Sequence, residues 1–263
     1  MQFPALVAAT LLACIGSQAH ADFVYGLNAA GSKGIYRIDT ATGATLLVAA
    51  TPSLTVSGAG GNGLAFDAAT NSFYYARRSG GTNYIMRNQG GVETTLGVVA
   101  SNAPLLSGTF HNGHYWIIPN GSSNTILRCT PTGSTVTVSQ LPTAFPIAAE
   151  FGDIASTASG ISYAACSAGF RRFDLNTLGA PSVLLNPAFA MYQIAFGNTG
   201  LFAVQGATIY SVNTTTGVRT FTAGATGGVS FNDIASIPAP GALALAGIAA
   251  LAGASARDRR RTT

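Results

Sequence analysis

The sequence predicts an all-β body assembled from a repeated unit of about forty residues and four strands, and three observations carry that prediction. The first is a recurring phrase. Phe151-Gly152-Asp153-Ile154-Ala155-Ser156 returns as Phe231-Asn232-Asp233-Ile234-Ala235-Ser236, and Ile194-Ala195-Phe196 falls midway between the two. Leu64-Ala65-Phe66 and Gly108-Thr109-Phe110 occupy the earlier slots of the same spacing. The second is turn chemistry at regular intervals. The third is composition: Thr, Ser, Asn and 32 glycines supply the polar surface in a chain whose charged residues make up only 8%.

Each opening strand leads through small turn residues into an aromatic-rich second strand. Asn71-Ser72 precedes Phe73-Tyr74-Tyr75, Asn112-Gly113 precedes Tyr115-Trp116-Ile117, and Asn198-Thr199-Gly200 precedes Leu201-Phe202. These read as hairpins. A second hairpin follows, clearest in Ile35-Tyr36-Arg37-Ile38-Asp39 running to Gly43 and in Ile209-Tyr210-Ser211-Val212-Asn213 running to Gly217. In both, the Asp or Asn side chain can cap the turn, and the glycine four residues later can take positive φ. Weaker copies lead from Ile126-Leu127-Arg128 to Gly133 and from Phe170 through Asp174 to Gly179.

Four strands per unit of this length form the blade of a β-propeller, and the Ile-Tyr-x-Ile-Asp phrase resembles the blades of secreted bacterial propellers. Phe23-Val24-Tyr25-Gly26-Leu27 reads as a second strand, so the first unit lacks its opening strand, while Phe231 to Ser236 is a spare one. Joining them predicts five four-stranded blades closed by a C-terminal strand. Ala50 to Asn62 reads as a glycine-rich loop rather than a sixth unit. A β-sandwich or a solenoid is the rival architecture.

The two ends read as targeting segments, which divides the chain into a signal peptide at 1–21, a body at 22–236 and a tail at 237–263. Phe3 to Ile15 is almost wholly apolar, and Ala19-His20-Ala21 supplies the small-x-small site that a signal peptidase reads, leaving Asp22 as the mature N-terminus. A competing reading takes Leu11-Leu12-Ala13-Cys14 as a lipoprotein box. The tail runs Ile237-Pro238-Ala239-Pro240-Gly241, then a stretch of Ala, Leu and Gly to Ala256, then Arg257-Asp258-Arg259-Arg260-Arg261. Ile237 to Ala256 has about the ~20 residues a membrane helix needs. Arginines on its far side place the body outside.

Pro-x-Pro, a short apolar helix and an arginine end, in that order, resemble the PEP-CTERM sorting signal of Gram-negative bacteria. Pro238-Ala239-Pro240 here stands in place of Pro-Glu-Pro, with Arg259, Arg260 and Arg261 at the basic end. The resemblance implies processing by an exosortase-like membrane enzyme, with the body tethered at the inner membrane and then delivered to the cell surface or released. A plain tail anchor is the structural alternative.

The chemistry of the body narrows the function. Of 13 Lys and Arg, four lie in the tail, and one of 9 Asp and Glu lies there too, so the body carries nine basic against eight acidic residues. No basic run could neutralise several phosphates, which excludes nucleic acid as a partner. Cys129 and Cys166 are the mature cysteines, and they are either a disulfide or two small buried hydrophobes. His111-Asn112-Gly113-His114 holds two histidines across a turn, with no nearby Cys or carboxylate to complete a metal set. Asp153 and Asp233 repeat at one blade position, either converging on a channel or bonding strand ends. Tyr74, Tyr75, Tyr115, Trp116, Tyr163 and Phe202 either stack on sugars or pack between blades. Arg77-Arg78 and Arg171-Arg172 face opposite sides of their strands.

No serine elbow, Cys/His dyad or Gly-rich phosphate loop appears, so neither a catalytic set nor a cofactor is predicted. The expectation is a non-enzymatic surface or matrix propeller that is structural or binds extracellular polysaccharide or protein through loops at one face. A lactonase-like or lyase-like propeller enzyme is the alternative.

Overall fold

The computed structural model describes residues 22–101, 103–121, 125–143, 152–189 and 192–237. The expected signal-cleavage residues Ala19 and Ala21, and the sorting residues Pro238, Ala239, Pro240, Arg259, Arg260 and Arg261, lie outside them.

The body is a five-bladed β-propeller of antiparallel four-stranded sheets. Blade 1 holds β1 (Phe23–Asn28), β2 (Gly34–Asp39) and β3 (Thr45–Ala50), with β20 (Asp233–Ala235) as its innermost strand. Blade 2 runs outward through β4 (Gly60–Asp67), β5 (Ser72–Ser79), β6 (Thr82–Gln89) and β7 (Val92–Val99). Blade 3 comprises β8 (Leu105–His111), β9 (His114–Pro119), β10 (Thr125–Thr132) and β11 (Thr135–Pro142). Blade 4 comprises β12 (Asp153–Ser156), β13 (Ile161–Cys166), β14 (Gly169–Asp174) and β15 (Val183–Asn186). Blade 5 comprises β16 (Gln193–Phe196), β17 (Leu201–Gln205), β18 (Thr208–Val212) and β19 (Arg219–Gly224).

The ring closes as the spare strand requires. Tyr25, Gly26 and Leu27 pair with Ala235, Ile234 and Asp233, and the backbone bond from Asn232 N to Leu27 O prolongs the contact. Closure gives blade 1 its fourth strand and covers the inner edge of β1, which would otherwise lie open.

Inner and second strands are flanked by blades on both sides, so their residues are buried on both faces, as in β5 and β9. The outermost strands alternate or lie exposed, as β3 and β11 do. Five apolar clusters fill the wedges between neighbouring blades. The one between blades 5 and 1 joins Val24, Ile38, Ile209, Phe231 and Ile234, so the closing segment also carries core. In four blades the pairing of third to fourth strand shifts register at the same place: Ile35/Tyr36, Ile85/Met86, Phe170/Arg171 and Ile209/Tyr210. A bulge there adds local twist and turns the rim strand away from its neighbour.

The turns follow the expected chemistry. Among the described residues, Asn71 and Asn112 are the non-glycine residues with positive φ, both at 51°, at the first two hairpins named from sequence. Asp39 Oδ1 accepts from Ala41 N and Thr42 N, each at 2.9 Å, and Asn213 Oδ1 accepts from Thr215 N and Thr216 N. Gly43 (φ 72°) and Gly217 (φ 67°) then return the chain. One expectation is corrected. The segment read as a loop to Asn62 ends earlier, because Gly60 and Gly61 pair with Arg78 and Arg77 and extend β4, with a register break between Asn62 and Ala65. Glycine bears no side chain for a pattern to register, so a strand made of it reads as loop.

Candidate functional site

The five inner strands place Phe66, Phe110, Ser156, Phe196 and Ser236 at one level of the axis. Three residues earlier along each strand come Gly63, Ser107, Asp153, Gln193 and Asp233. The upper level walls a funnel and the lower level plugs it.

At the plug, Asp153 and Asp233 are 1% and 0% exposed and hydrogen-bond to each other across the axis. Asp153 Oδ1 accepts from Ile154 N at 2.7 Å and Gly108 N at 3.3 Å, and its Oδ2 accepts from Ile194 N at 2.9 Å. Asp233 accepts from Ile234 N at 2.9 Å and Leu64 N at 2.6 Å. Two carboxylates cannot bond to each other without a proton between them, so at least one is a carboxylic acid. Burial pushes both well above the usual carboxylate range, and the Asp153 charge raises Asp233 further. Tyr115, fully buried beside them, donates its hydroxyl to Gly63 O, and burial drives its pKa up, so it stays neutral.

The plug is also the joint between blades. Asp233 ties blade 1 to blade 2 through Leu64 N, and Tyr115 ties blade 3 to blade 2 through Gly63 O. Ser107 Oγ donates to Gly152 O at 2.7 Å, and Asp153 reaches blade 3 at Gly108 and blade 5 at Ile194. Blade 5 meets blade 1 where Phe196 N donates to Ser236 Oγ and Ile237 N to Phe196 O, both at 2.9 Å. The two readings of the repeated aspartates are therefore both realised: they converge on the channel, and they hold strand ends.

Above the plug the funnel has a volume of about 480 Å³, and every blade contributes to it. Its apolar wall comes from Phe66, Phe110, Phe196 and Ile237. Three of its polar side chains are engaged within the protein. Asp67 accepts from Ala69 N at 3.0 Å and Thr70 Oγ1 at 2.6 Å, and Ser156 Oγ meets Ser162 Oγ at 2.7 Å. His111 Nε2 meets Asn176 Oδ1 at 3.2 Å.

His111 and His114 face each other in register across the Asn112-Gly113 turn, but their rings diverge. His114 Nδ1 meets Thr130 Oγ1 at 2.9 Å and its ring stands edge-on to Trp116. Burial and then the Arg128 charge pull the His114 pKa down. Among the described residues no three His, Cys, Asp or Glu side chains group as a metal set. Cys129 and Cys166 are buried and unpaired, the second of their two readings, and burial pushes the Cys129 thiol up to about 12.

Tyr74, Tyr75, Tyr115, Trp116, Tyr163 and Phe202 are all buried. They pack between blades, as Tyr74 does against Phe110 and Tyr115. Arg77 lies over the Tyr84 ring at 4.8 Å, and Arg171 donates to Ser182 Oγ at 3.1 Å. Sequence reasoning missed the funnel phenylalanines as a set, although their shared place in the repeat was a usable signal. It also missed Ser107 and Gln193, which share the level of the aspartates without sharing their chemistry.

No protein-family model and no curated protein matches the sequence. Similar solved structures include that of a nidogen/laminin complex, at 15% identity and TM-score 0.49 over 77% of this chain and 78% of that one. Another is a calcium-binding protein, regucalcin, from Agrobacterium tumefaciens, at 13% identity and TM-score 0.47 over 84% of this chain and 76% of that one. A third is a protein of unknown function from Bacteroides caccae, at 15% identity and TM-score 0.45 over 76% and 72%.

Proposed function

We propose that this chain is an exported, non-enzymatic binding protein of the cell surface or extracellular matrix, whose propeller takes a small apolar or amphipathic ligand group in the axial funnel. The observation that carries the reading is the funnel itself: about 480 Å³, walled by three phenylalanines and Ile237, with Asp67, Ser156 and His111 bonded to the protein. A ligand there gains by covering apolar surface, about 25 cal/mol per Å². The carboxyl pair beneath the funnel is buried with its oxygens taking backbone N–H groups, and the two titratable groups that line the funnel, Asp67 and His111, are hydrogen-bonded within the protein, which favours binding over catalysis.

The two ends support this address. Asp22, the residue after the Ala19-His20-Ala21 site, is tied into the body. Its carbonyl accepts from Thr40 N and its carboxylate from Thr199 N, each at 2.9 Å. A leader ending at Ala21 leaves that anchor whole. At the other end Ile237 sits in the funnel wall, so a sorting tail beginning there leaves the body at the funnel rim.

The test is equilibrium binding of anilinonaphthalene sulfonate to the full chain and to an Ala68→Trp, Ala158→Trp variant. Both alanines lie in rim turns, and indole rings there fill the funnel. Saturable one-site binding, lost in the variant while its melting temperature holds, supports the reading. Binding equal in both proteins, or none in either, overturns it. N-terminal sequencing of exported material should begin at Asp22; a start at Cys14 would establish a lipoprotein instead.

A further inference from the structure

The chain that joins blade 4 to blade 5 and the rim of blade 5 bring four aromatic residues and one arginine together on the outer wall, away from the funnel. Arg219, the first residue of β19, lays its guanidinium 4.0 Å from the Tyr192 ring centroid, 4.9 Å from Phe189 and 5.9 Å from Tyr210. Tyr210 and Phe221 are cross-strand partners, so both rings stand on the face that carries Arg219. Phe221 meets Tyr210 edge to face at 6.3 Å and is 63% exposed. Tyr192 in turn meets Tyr210 edge to face at 5.8 Å.

Three features of this cluster exceed what packing requires. An exposed phenyl ring on a rim strand covers no core. Arg219 is half-buried, with Nη1 enclosed and without a hydrogen-bond partner, so a ligand meets the remaining N–H groups of the guanidinium. Burial lowers the Arg219 pKa, with no carboxylate among the causes to offset it. A guanidinium held flat by aromatic rings has little rotational freedom left to lose, and its N–H edge is matched to a carboxylate in a two-bond fork.

We propose that this wall binds an acidic polysaccharide: the carboxylate of a uronic-acid unit pairs with Arg219, and the C–H face of an adjoining sugar ring lies on Phe221. An exposed ring beside a fixed cation on an open wall fits a polymer running past, whereas a peptide carboxylate needs the arginine but not the phenyl ring. The site is separate from the funnel, so it stands or falls independently of the reading above.

The experiment measures retardation and calorimetric binding of the full chain with polygalacturonate, neutral dextran and polyglutamate. Polygalacturonate should bind, more weakly as salt rises. Arg219→Gln should weaken it at least tenfold, Phe221→Ala severalfold, and Arg219→Lys by an intermediate factor, with melting temperatures within a few degrees of the parent and funnel binding of the dye unchanged. Equal binding of dextran would mean stacking alone and overturn the anion pairing. Equal binding of polyglutamate, insensitive to Phe221→Ala, would overturn the choice of a sugar. No binding of polygalacturonate, or binding indifferent to Arg219→Gln, would remove the site.

Discussion

Replacing Asp233 by Asn takes the proton out of the axial plug while keeping a donor aimed at Asp153. In the parent, the folded state holds at least one proton that the unfolded chain releases above the ordinary carboxylate pKa of 3.8, because burial pushes Asp153 up to about 8 and raises Asp233 as well. A folded pKa raised in this way means the native state binds more protons than the unfolded one across that window. Stability is therefore greatest below about pH 4 and declines as pH rises towards 8. The slope is about 1.4 kcal/mol per pH unit for one proton, or about 4 kcal/mol between pH 5 and pH 8. At 2–4 °C per kcal/mol for a chain of this size, the melting temperature should fall by roughly 10 °C over that range. Tyr115 and Cys129, the other titratable groups at the plug, are both held neutral by burial and do not enter. His114, pulled down by burial, acts the other way near pH 6.5, and a His114→Gln background removes it. In Asp233→Asn the new amide leaves a backbone N–H, at Leu64 or Ile234, without an acceptor, which costs about 1–3 kcal/mol. Asp153 then accepts from that amide and three backbone N–H groups and stays ionised. The variant should be less stable than the parent at pH 5, show no decline with pH, and overtake it by pH 9. Differential scanning calorimetry at half-unit intervals reads this directly. A parent melting temperature that is level from pH 5 to pH 8, or a variant that keeps the parental slope, would refute the shared proton.

Three further outcomes are expected. Gly108→Ala puts a Cβ 2.1 Å from Gly63 O, a backbone atom that cannot move without opening the blade 2 to blade 3 joint. It should cost about 2–3 kcal/mol by chemical denaturation, as overpacking does. Deleting Phe231 to Ser236 removes β20 and the Phe231 and Ile234 side chains from the core, and should abolish cooperative melting, whereas deleting residues 238–263 should leave the melting temperature unchanged. Cys129 and Cys166 should resist a thiol reagent until the protein unfolds, and reducing agent should not shift its melting temperature, since both thiols are buried, unpaired and raised in pKa.

The ring and its closure were legible because a propeller writes its blade length into the sequence. The Phe-x-Asp-Ile-Ala-Ser phrase marked the inner strands, and the Asp39 and Asn213 turns marked the third, each by chemistry local to a few residues. What a residue meets across the axis was less legible. Asp153 and Asp233 look equivalent in the repeat, yet they share a proton only because a five-membered ring brings the inner strands of blades 4 and 1 within reach of each other. Gly63, at the same level, is absent as a side chain, and that vacancy admits the Tyr115 hydroxyl to its carbonyl. The Arg219 cluster was hidden for a different reason. Its rings come from the interblade segment, β18 and β19, and no periodicity links Phe189 and Tyr192 to Phe221.

The three-residue strand β20 bears on the order in which the chain can acquire its shape. Ala29 N meets Asn232 Oδ1 across 203 positions of sequence, and bringing such distant points together costs about 5 kcal/mol of chain entropy. Blades 2 to 5 are each woven from consecutive hairpins and can zip up locally, but blade 1 must wait as three strands with a bare inner edge until the last one arrives. A chain delivered N-terminus first therefore meets its surroundings for most of its emergence as an unclosed arc. By chain entropy alone the final latch costs more than the making of any one blade, each of which closes through short hairpins.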